Sequence, residues 1–235
     1  MTTNEETQIE IDLLRYEATS LLAAVRLYIT KGDPWLETHA AEELGRRRQD
    51  LISWASGRRK ELTQDDILAE WDAIRQEHSG IFDQGILRVS RYSAVILLYT
   101  ALEHGLQILS EFARTSQNMP VSAHDLRGDP FERCKVFFSK MCQIELTTFP
   151  QWNAVSDLEK VRHAIVHAGG RLDYISGATI RNRINQLAGQ QGSGIHIGRS
   201  WGDVVEVDQS FIASISAATE GFLEDLVNEV GRRYL

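Results

Sequence analysis

Arg162, His163 and His167 are the residues of this chain whose types and spacing could carry out a reaction together. An arginine stays positively charged at any ordinary pH and binds phosphate with a planar fork of N–H donors. A histidine, with an ordinary pKa of about 6.5, can take up and return a proton near neutral pH. Cleaving RNA without a metal ion requires both properties, a base for the 2′-hydroxyl and a cation for the charge on the phosphorane. The group therefore predicts a site for phosphodiester chemistry.

These residues lie in a segment with the pattern of the last turns of a helix. The helix is predicted to run from about Asp157 and to end at Gly169 and Gly170, because glycine accepts the left-handed backbone angles of a helix end. At about 100° per residue, Arg162 and His167 point roughly 140° apart. Their side chains should converge only if the last turn loosens near the glycines, or if a second subunit places its own copy of the helix opposite.

Two other interpretations use the same residues. One is purely structural, a buried helix with an incidental histidine and a surface arginine. The other is a zinc site, since His163 and His167 are four positions apart and share a helical face. A zinc protease with this spacing has glutamate after the first histidine, where this chain has Ala164, and no third ligand follows within a turn or two. No metal or other cofactor is therefore expected.

Three parts of the sequence together resemble the HEPN superfamily. Arg162-His163-x-x-x-His167 resembles its R-x4-6-H motif, in which a polar residue typically follows the arginine. The predicted helix 92–104, with its internal carboxylate, resembles the long core helix of the family, and residues 129–135 resemble the helix that comes next. The resemblance covers residues 86–230 of the chain.

The resemblance implies a metal-independent endoribonuclease, of the kind found in toxin–antitoxin and phage-defence systems. Arg162 would bind and neutralise the scissile phosphate, and His167 would act as acid and base. His163 would position the RNA or orient its neighbours. Glu103 is a carboxylate on an otherwise apolar predicted helix, and a buried carboxylate must be paired. It is expected to hold Arg162 or a histidine in place.

The resemblance also implies partners. The expected ones are an RNA substrate, a second copy of the chain in a symmetric homodimer with the two motif helices facing each other, and an antitoxin or defence-system protein. A catalytically inactive HEPN module that binds a partner protein or RNA is the alternative, because the family includes such members. Some HEPN proteins carry a modified tyrosine two residues past the histidine; here that position is Gly169, so this regulation is not expected.

Composition limits the class of protein. A chain of 235 residues with 43% hydrophobic and 25% charged residues can bury a real core. No uninterrupted apolar run approaches the length of a membrane span, and the first ten residues are polar and acidic, unlike a secretory signal. Cys134 and Cys142 are eight positions apart on one predicted helix, about 12 Å of rise and too far for a disulfide. A reduced, cytoplasmic protein with no membrane partner is predicted.

The net charge of −8 is concentrated near the amino terminus. Residues 1–85 carry −7, residues 86–170 carry +1 and residues 171–235 carry −2. Two basic clusters, 46–48 and 58–60, are flanked by acidic residues, which favours a salt-bridged surface over a phosphate site. With no broad basic face, RNA should be bound locally, at the motif.

Apolar periodicity predicts a mostly α-helical chain. Asp33 and Pro34 are predicted to separate two helices, as cap and first helical residue. The sequence from Thr63 is predicted to start a third helix, and Gly85 to precede a buried central helix. The predicted helices of the amino-terminal half are 8–29, 35–55, one from Thr63 to about Gly80, and 86–113.

The carboxy-terminal part is predicted to contain a β-hairpin. Residues 195–197 and 204–207 alternate at period two around the turn sequence from Ser200 to Asp203. Further helices are predicted at 131–146, 179–187 and 211–232, the last capped by Asp208 or Ser210. The predicted organisation is a helical extension over residues 1–85, followed by a HEPN-like helical bundle with a small hairpin over residues 86–235.

Overall fold

A computed structural model describes residues 3–58, 62–199 and 202–235, and within helix 1 the side chains from Glu5 onward. The described chain is mostly α-helical with one two-stranded antiparallel sheet near the carboxy terminus, which confirms the predicted fold class. The elements are α1 (Thr3–Gly57), α2 (Gln64–Ile81), α3 (Arg88–Ser116), α4 (Pro130–Lys140), α5 (Trp152–Ala168), α6 (Ala178–Gly189), β1 (Ile195–Gly198), β2 (Val204–Val207) and α7 (Gln209–Tyr234).

The amino-terminal prediction of two helices is wrong, because α1 runs without a break through the proline. Pro34 lies inside the helix, a position that ordinarily costs about 3 kcal/mol. Asp33, the predicted cap, is instead buried and accepts a 2.9 Å bond from Nε of Arg91. Arg91 also pairs with Glu37, one turn further along α1, at 2.8 Å. Through these ion pairs, residues on both sides of Pro34 contact the guanidinium of Arg91. The pattern of apolar residues along the chain does not reveal this contact.

The start of α2 is confirmed in detail. Thr63 is the N-cap, and it exchanges capping-box hydrogen bonds with Asp66. The predicted interruption at Gly85 is wrong, because a π-helical segment, Phe82–Leu87, joins α2 directly to α3. A π-turn inserts a residue without ending the helix. A window of the continuous helical run 64–116 is long and apolar enough to cross a membrane, a property it shares with core helices of soluble proteins.

The chain forms two compact units. The larger contains Met1–Leu27 and Ala94–Leu235, and the smaller contains Tyr28–Ser93. This grouping differs from the boundary predicted at residue 85, because the first 27 residues belong with the carboxy-terminal part. In the smaller unit, the predicted salt-bridged surface is present at Arg46 and Arg47, which both pair with Glu43. Arg59 and Lys60 of the second basic cluster lie outside the described residues.

The larger unit is a helical bundle around α3. Four α3 leucines, at positions 98, 102, 106 and 109, have no solvent exposure, which confirms the predicted buried central helix. Gly105 lies so close to α1 and α7 that an added Cβ would stand 2.7 Å from the carbonyl oxygen of Ala18 and 2.9 Å from Leu223. The core is completed by aromatic side chains, among them Phe131, Phe137, Phe138 and Phe222.

The hairpin and last helix follow the predictions. β1 pairs with β2 in antiparallel register, with Ile195 opposite Val207 and Gly198 opposite Val204. Ser200 and Trp201 of the predicted turn lie outside the described residues. Asp208 caps α7 by accepting from the backbone N–H groups of Ser210 and Phe211. Cys134 and Cys142 are buried free thiols; α4 ends before the second of them, at Lys140.

Candidate active site

Helix α5 carries the arginine and both histidines, and its end matches the sequence prediction. Gly169 adopts left-handed angles, φ 58° and ψ 24°, and its N–H donates to the carbonyl of Ala164. The N–H of Gly170 donates to the same carbonyl at 3.0 Å. The beginning differs from the prediction, since α5 starts at Trp152 and not near Asp157. The helix therefore ends at Ala168, one residue after His167, which lies on its last turn.

Packing fixes the orientation of α5 in the bundle. Its buried face includes Val155, Leu158 and Val161, and it packs against α6 and α7. Asp157, which is also buried, receives two 2.7 Å hydrogen bonds from Nε and Nη2 of Arg183 on α6. A bidentate pair of this kind restricts rotation of the helix about its axis. The opposite face of α5 is therefore presented in a defined direction.

Arg162 and His167 converge within one chain. Nη1 of Arg162 lies 3.5 Å from Nε2 of His167. The prediction that they would diverge unless the last turn loosened or a second copy contributed is therefore wrong. The helix stays regular to Ala168, and the arginine side chain is long enough to cross the lateral separation that the backbone imposes. One copy of α5 suffices to bring a fixed cation and a titratable imidazole together.

The two histidines form a pair. The rings of His163 and His167 have centroids 4.5 Å apart at an interplanar angle of 45°. Partial burial, followed by the neighbouring charges of His167 and Arg162, lowers the pKa of His163 below its ordinary value. His163 is therefore held in the neutral form near pH 7, in which one ring nitrogen can accept a hydrogen bond or a proton.

Arg162 rests on an aromatic ring from α3. Its Cζ lies 5.1 Å from the ring centroid of Tyr99, within the range of a cation–π contact. Tyr99 is only 4% exposed, so the ring is a fixed part of the core. Nε of Arg162 is buried, and no described group makes a hydrogen bond with it. The ring of Tyr99 is therefore a principal support of the guanidinium on its inner side.

Glu103 lies near Arg162 without pairing with it. Among the described residues, it forms no ion pair with Arg162 and no hydrogen bond with either histidine. Partial burial raises the pKa of Glu103, and the charge of Arg162 opposes that rise. The influence of Glu103 on Arg162 is therefore electrostatic, in place of the expected direct contact.

Sequence reasoning missed Tyr99 and two further carboxylates of this region. Burial raises the pKa of the Tyr99 hydroxyl, and the charges of Glu103, of Asp129 at the N-cap of α4 and of Glu159 on α5 add to that rise. Burial also raises the pKa of Glu159. A signal for Tyr99 was present, since it precedes Glu103 by four positions and so shares its helical face.

Metal ligation was the rival chemistry for the histidine pair. Within the described ranges, no group of three or more His, Cys, Asp or Glu side chains is arranged so that it could hold a metal ion. His163 and His167 thus have each other and Arg162 as near neighbours. A cation beside two imidazoles disfavours the binding of a second cation.

No protein-family model, curated protein or solved structure matches this chain.

Proposed function

We propose that this protein is an endoribonuclease of the HEPN type that cleaves RNA without a metal ion. The observation that carries the proposal is the 3.5 Å approach of Nη1 of Arg162 to Nε2 of His167, beside the ring of His163. This approach supports the proposal because a guanidinium can bind a phosphate and an adjacent imidazole can transfer a proton. We further propose a cytoplasmic toxin or phage-defence setting, on the resemblance of the motif and its flanking helices to that superfamily.

The chemistry is a transesterification within the RNA. A neutral imidazole removes the proton of the 2′-hydroxyl, and O2′ forms a bond to the adjacent phosphorus. The bond from phosphorus to O5′ breaks, and a protonated imidazole supplies the proton that O5′ requires. The products are a 2′,3′-cyclic phosphate and a 5′-hydroxyl end. Arg162 stabilises the extra negative charge on the phosphorane oxygens, the kind of stabilisation that contributes most when the donor is held in place beforehand.

The two histidines have different roles in the proposal. His167 is exposed and next to the guanidinium that binds the phosphate, so it is the proton-transfer group of the proposal. His163 has a lowered pKa and contacts the His167 ring, so it stays neutral and orients that ring or the RNA. Two protonated imidazoles beside an arginine would repel one another, which favours a single added proton, carried by His167.

Tyr99 and Glu103 position the arginine. The Tyr99 ring lies against the Arg162 guanidinium at 5.1 Å. The charge of Glu103, one turn after Tyr99 on α3, acts on the same guanidinium. The guanidinium is thereby held on its inner side by a ring that does not compete for phosphate, while Nη1 is directed towards His167. An arginine fixed in this way loses less rotational freedom when it binds a phosphate.

A second copy of the chain is not needed to complete the Arg162–His167 pair. A homodimer remains part of the proposal through the family resemblance, with each protomer carrying a complete pair. The local charge also suits a locally bound substrate, since residues 86–170 carry a net charge of only +1. RNA should therefore contact the protein mainly around α5, where Arg162 meets the scissile phosphate.

An RNA-cleavage assay with the full chain tests the function. Fluorescently labelled single-stranded and structured RNAs are incubated with the protein in EDTA, and the product ends are identified by mass spectrometry. Cleavage that yields 2′,3′-cyclic phosphate ends in the presence of chelator is expected. RNA binding without cleavage would instead assign the inactive binding module. Cleavage that requires added metal would contradict the proposed mechanism.

A further inference from the structure

Helix α1 carries a second apolar face that the described residues leave exposed to solvent. Its buried face contains Leu14, Ala18, Leu22 and Val25. On the opposite side, four large apolar side chains are exposed to solvent. They are Ile9 (53% exposed), Leu13 (57%), Tyr16 (70%) and Leu27 (62%), called here the α1 stripe.

The spacing of the α1 stripe is that of a coiled-coil seam. Ile9, Leu13 and Tyr16 are separated by four and three positions, and the same alternation continues through Ser20 and Ala23 to Leu27. This is the repeat of 3.5 residues that keeps one face of a helix towards a partner helix. The stripe is about 27 Å long at 1.5 Å per residue. Single exposed apolar residues are ordinary on protein surfaces, but an aligned row of this length indicates a contact surface.

Acidic side chains flank the α1 stripe. Asp12 borders one side, and Glu10 and Glu17 border the other. Residues 5–27 contain five acidic and two basic side chains. Both basic residues already pair inside the larger unit: Arg15 with Asp12 and Arg26 with Glu220. Because Arg15 offsets Asp12, the negative charge that the α1 stripe presents to a partner comes mainly from Glu10 and Glu17.

This charge pattern disfavours a second copy of the same helix as the occupant. In an antiparallel pair centred on the stripe, Glu17 would face the Glu17 of the other copy. In a parallel pair, Asp12 would face the other copy's Glu17. Like charges at these flanking positions oppose pairing, whereas opposite charges select the partner.

From the heptad spacing and the acidic borders, we propose that the α1 stripe binds an amphipathic helix of a partner protein, with an apolar seam bordered by lysines or arginines. The surface is independent of the proposed catalytic residues, which lie on α5. Binding of a partner would give α1 a role that the ribonuclease chemistry does not require.

A designed peptide serves as the probe. It spans three heptads, roughly 21 residues, with leucine at the seam positions and lysine at the flanking positions. A companion peptide has glutamate at the flanking positions. Binding of each labelled peptide to the full chain is measured by fluorescence anisotropy. The basic peptide is expected to bind at least about tenfold tighter than the acidic one, and to weaken as salt is raised.

Substitutions of exposed residues test the α1 stripe without removing side chains from the core. The double substitution Leu13→Ser and Tyr16→Ser removes apolar area without adding charge, and should weaken the basic peptide about tenfold or more. Leu68→Ser, at an exposed leucine on α2, is the matched control and should leave binding unchanged. The double substitution Glu10→Lys and Glu17→Lys should invert the preference between the two peptides.

Three outcomes would overturn the proposal. Equal binding of both peptides would show that charge does not select the partner. Binding that survives the double serine substitution would place the contact elsewhere. Sedimentation velocity that shows a dimer of the wild-type chain, dispersed by the same serine substitutions, would assign the α1 stripe to a second copy.

Discussion

Nη1 of Arg162 and Nε2 of His167 lie 3.5 Å apart although five positions separate the two residues on α5. On an ideal helix the side chains at these positions point in different directions, so helix geometry alone predicts that the two groups do not meet. The long arginine side chain crosses that angle, and Tyr99 supports it from α3. A single chain therefore brings together the two groups that the proposed reaction requires.

Replacing His167 should abolish RNA cleavage and leave the fold intact. We expect His167→Ala to reduce the cleavage rate by about 100-fold or more, as is typical when a general acid or base is removed. The residue is exposed, so its loss opens no cavity. His124→Ala, another exposed histidine, is the matched control and should retain full activity. Comparable rates for the two variants, with matching circular dichroism, would remove His167 from the mechanism.

Arg162 and His167 should fail to complement each other across subunits. Because one chain holds both groups, a mixture of Arg162→Ala and His167→Ala proteins should be no more active than either alone. Unfolding and refolding the two variants together permits exchange even if a dimer is stable. Recovery of a substantial part of wild-type activity would show that the working site combines residues of two copies.

The contribution of Tyr99 to the rate of RNA cleavage should come mainly from its ring and less from its hydroxyl. We expect Tyr99→Leu to lower the cleavage rate about tenfold, the equivalent of the roughly 1–2 kcal/mol of a desolvated cation–π contact. Tyr99→Phe keeps the ring and should lose much less. Phenylalanines with successive fluorines, which weaken the ring's attraction for a cation at nearly constant shape, should lower the rate stepwise. A flat response across that series would contradict the cation–π role.

His163 should titrate below an ordinary histidine. Burial and the charges of His167 and Arg162 lower its pKa, so the neutral form persists as pH falls below 6.5. Arg162→Ala removes a positive neighbour and should raise the His163 pKa towards the ordinary value. NMR titration of the imidazole signals measures both. A His163 pKa above 6.5, or one that Arg162→Ala leaves unchanged, would contradict this environment.

Two glycine-to-alanine substitutions should change stability in opposite directions. At Gly105 an added Cβ would stand 2.7 Å from a backbone oxygen of α1, so Gly105→Ala should destabilise by about 1–3 kcal/mol. At Gly45, an exposed position of α1, a Cβ meets nothing within 4 Å, so Gly45→Ala should stabilise by about 0.5–1 kcal/mol. Denaturant unfolding measures both. Stabilisation by Gly105→Ala would contradict the close approach of the helices.

The sequence by itself determined the features that depend on neighbours along the chain. The capping box at Thr63, the glycine end of α5 and the alternation of the hairpin strands are set by residues within a few positions of one another. The motif residues of α5 could likewise be selected by type and spacing. Local hydrogen bonds and side-chain periodicity carry this information, and they operate in the same way in any tertiary context.

Only the tertiary structure decided the features that depend on distant partners. Pro34 predicted a helix break, but α1 continues through it, and Asp33 forms an ion pair with Arg91, 58 positions away, beside the proline. Tyr99 became the support of Arg162 because α3 and α5 place them together, and the same packing brings the charge of Glu103 near Arg162. Such contacts arise from the packing of buried faces, whose partners no spacing along a single helix can specify.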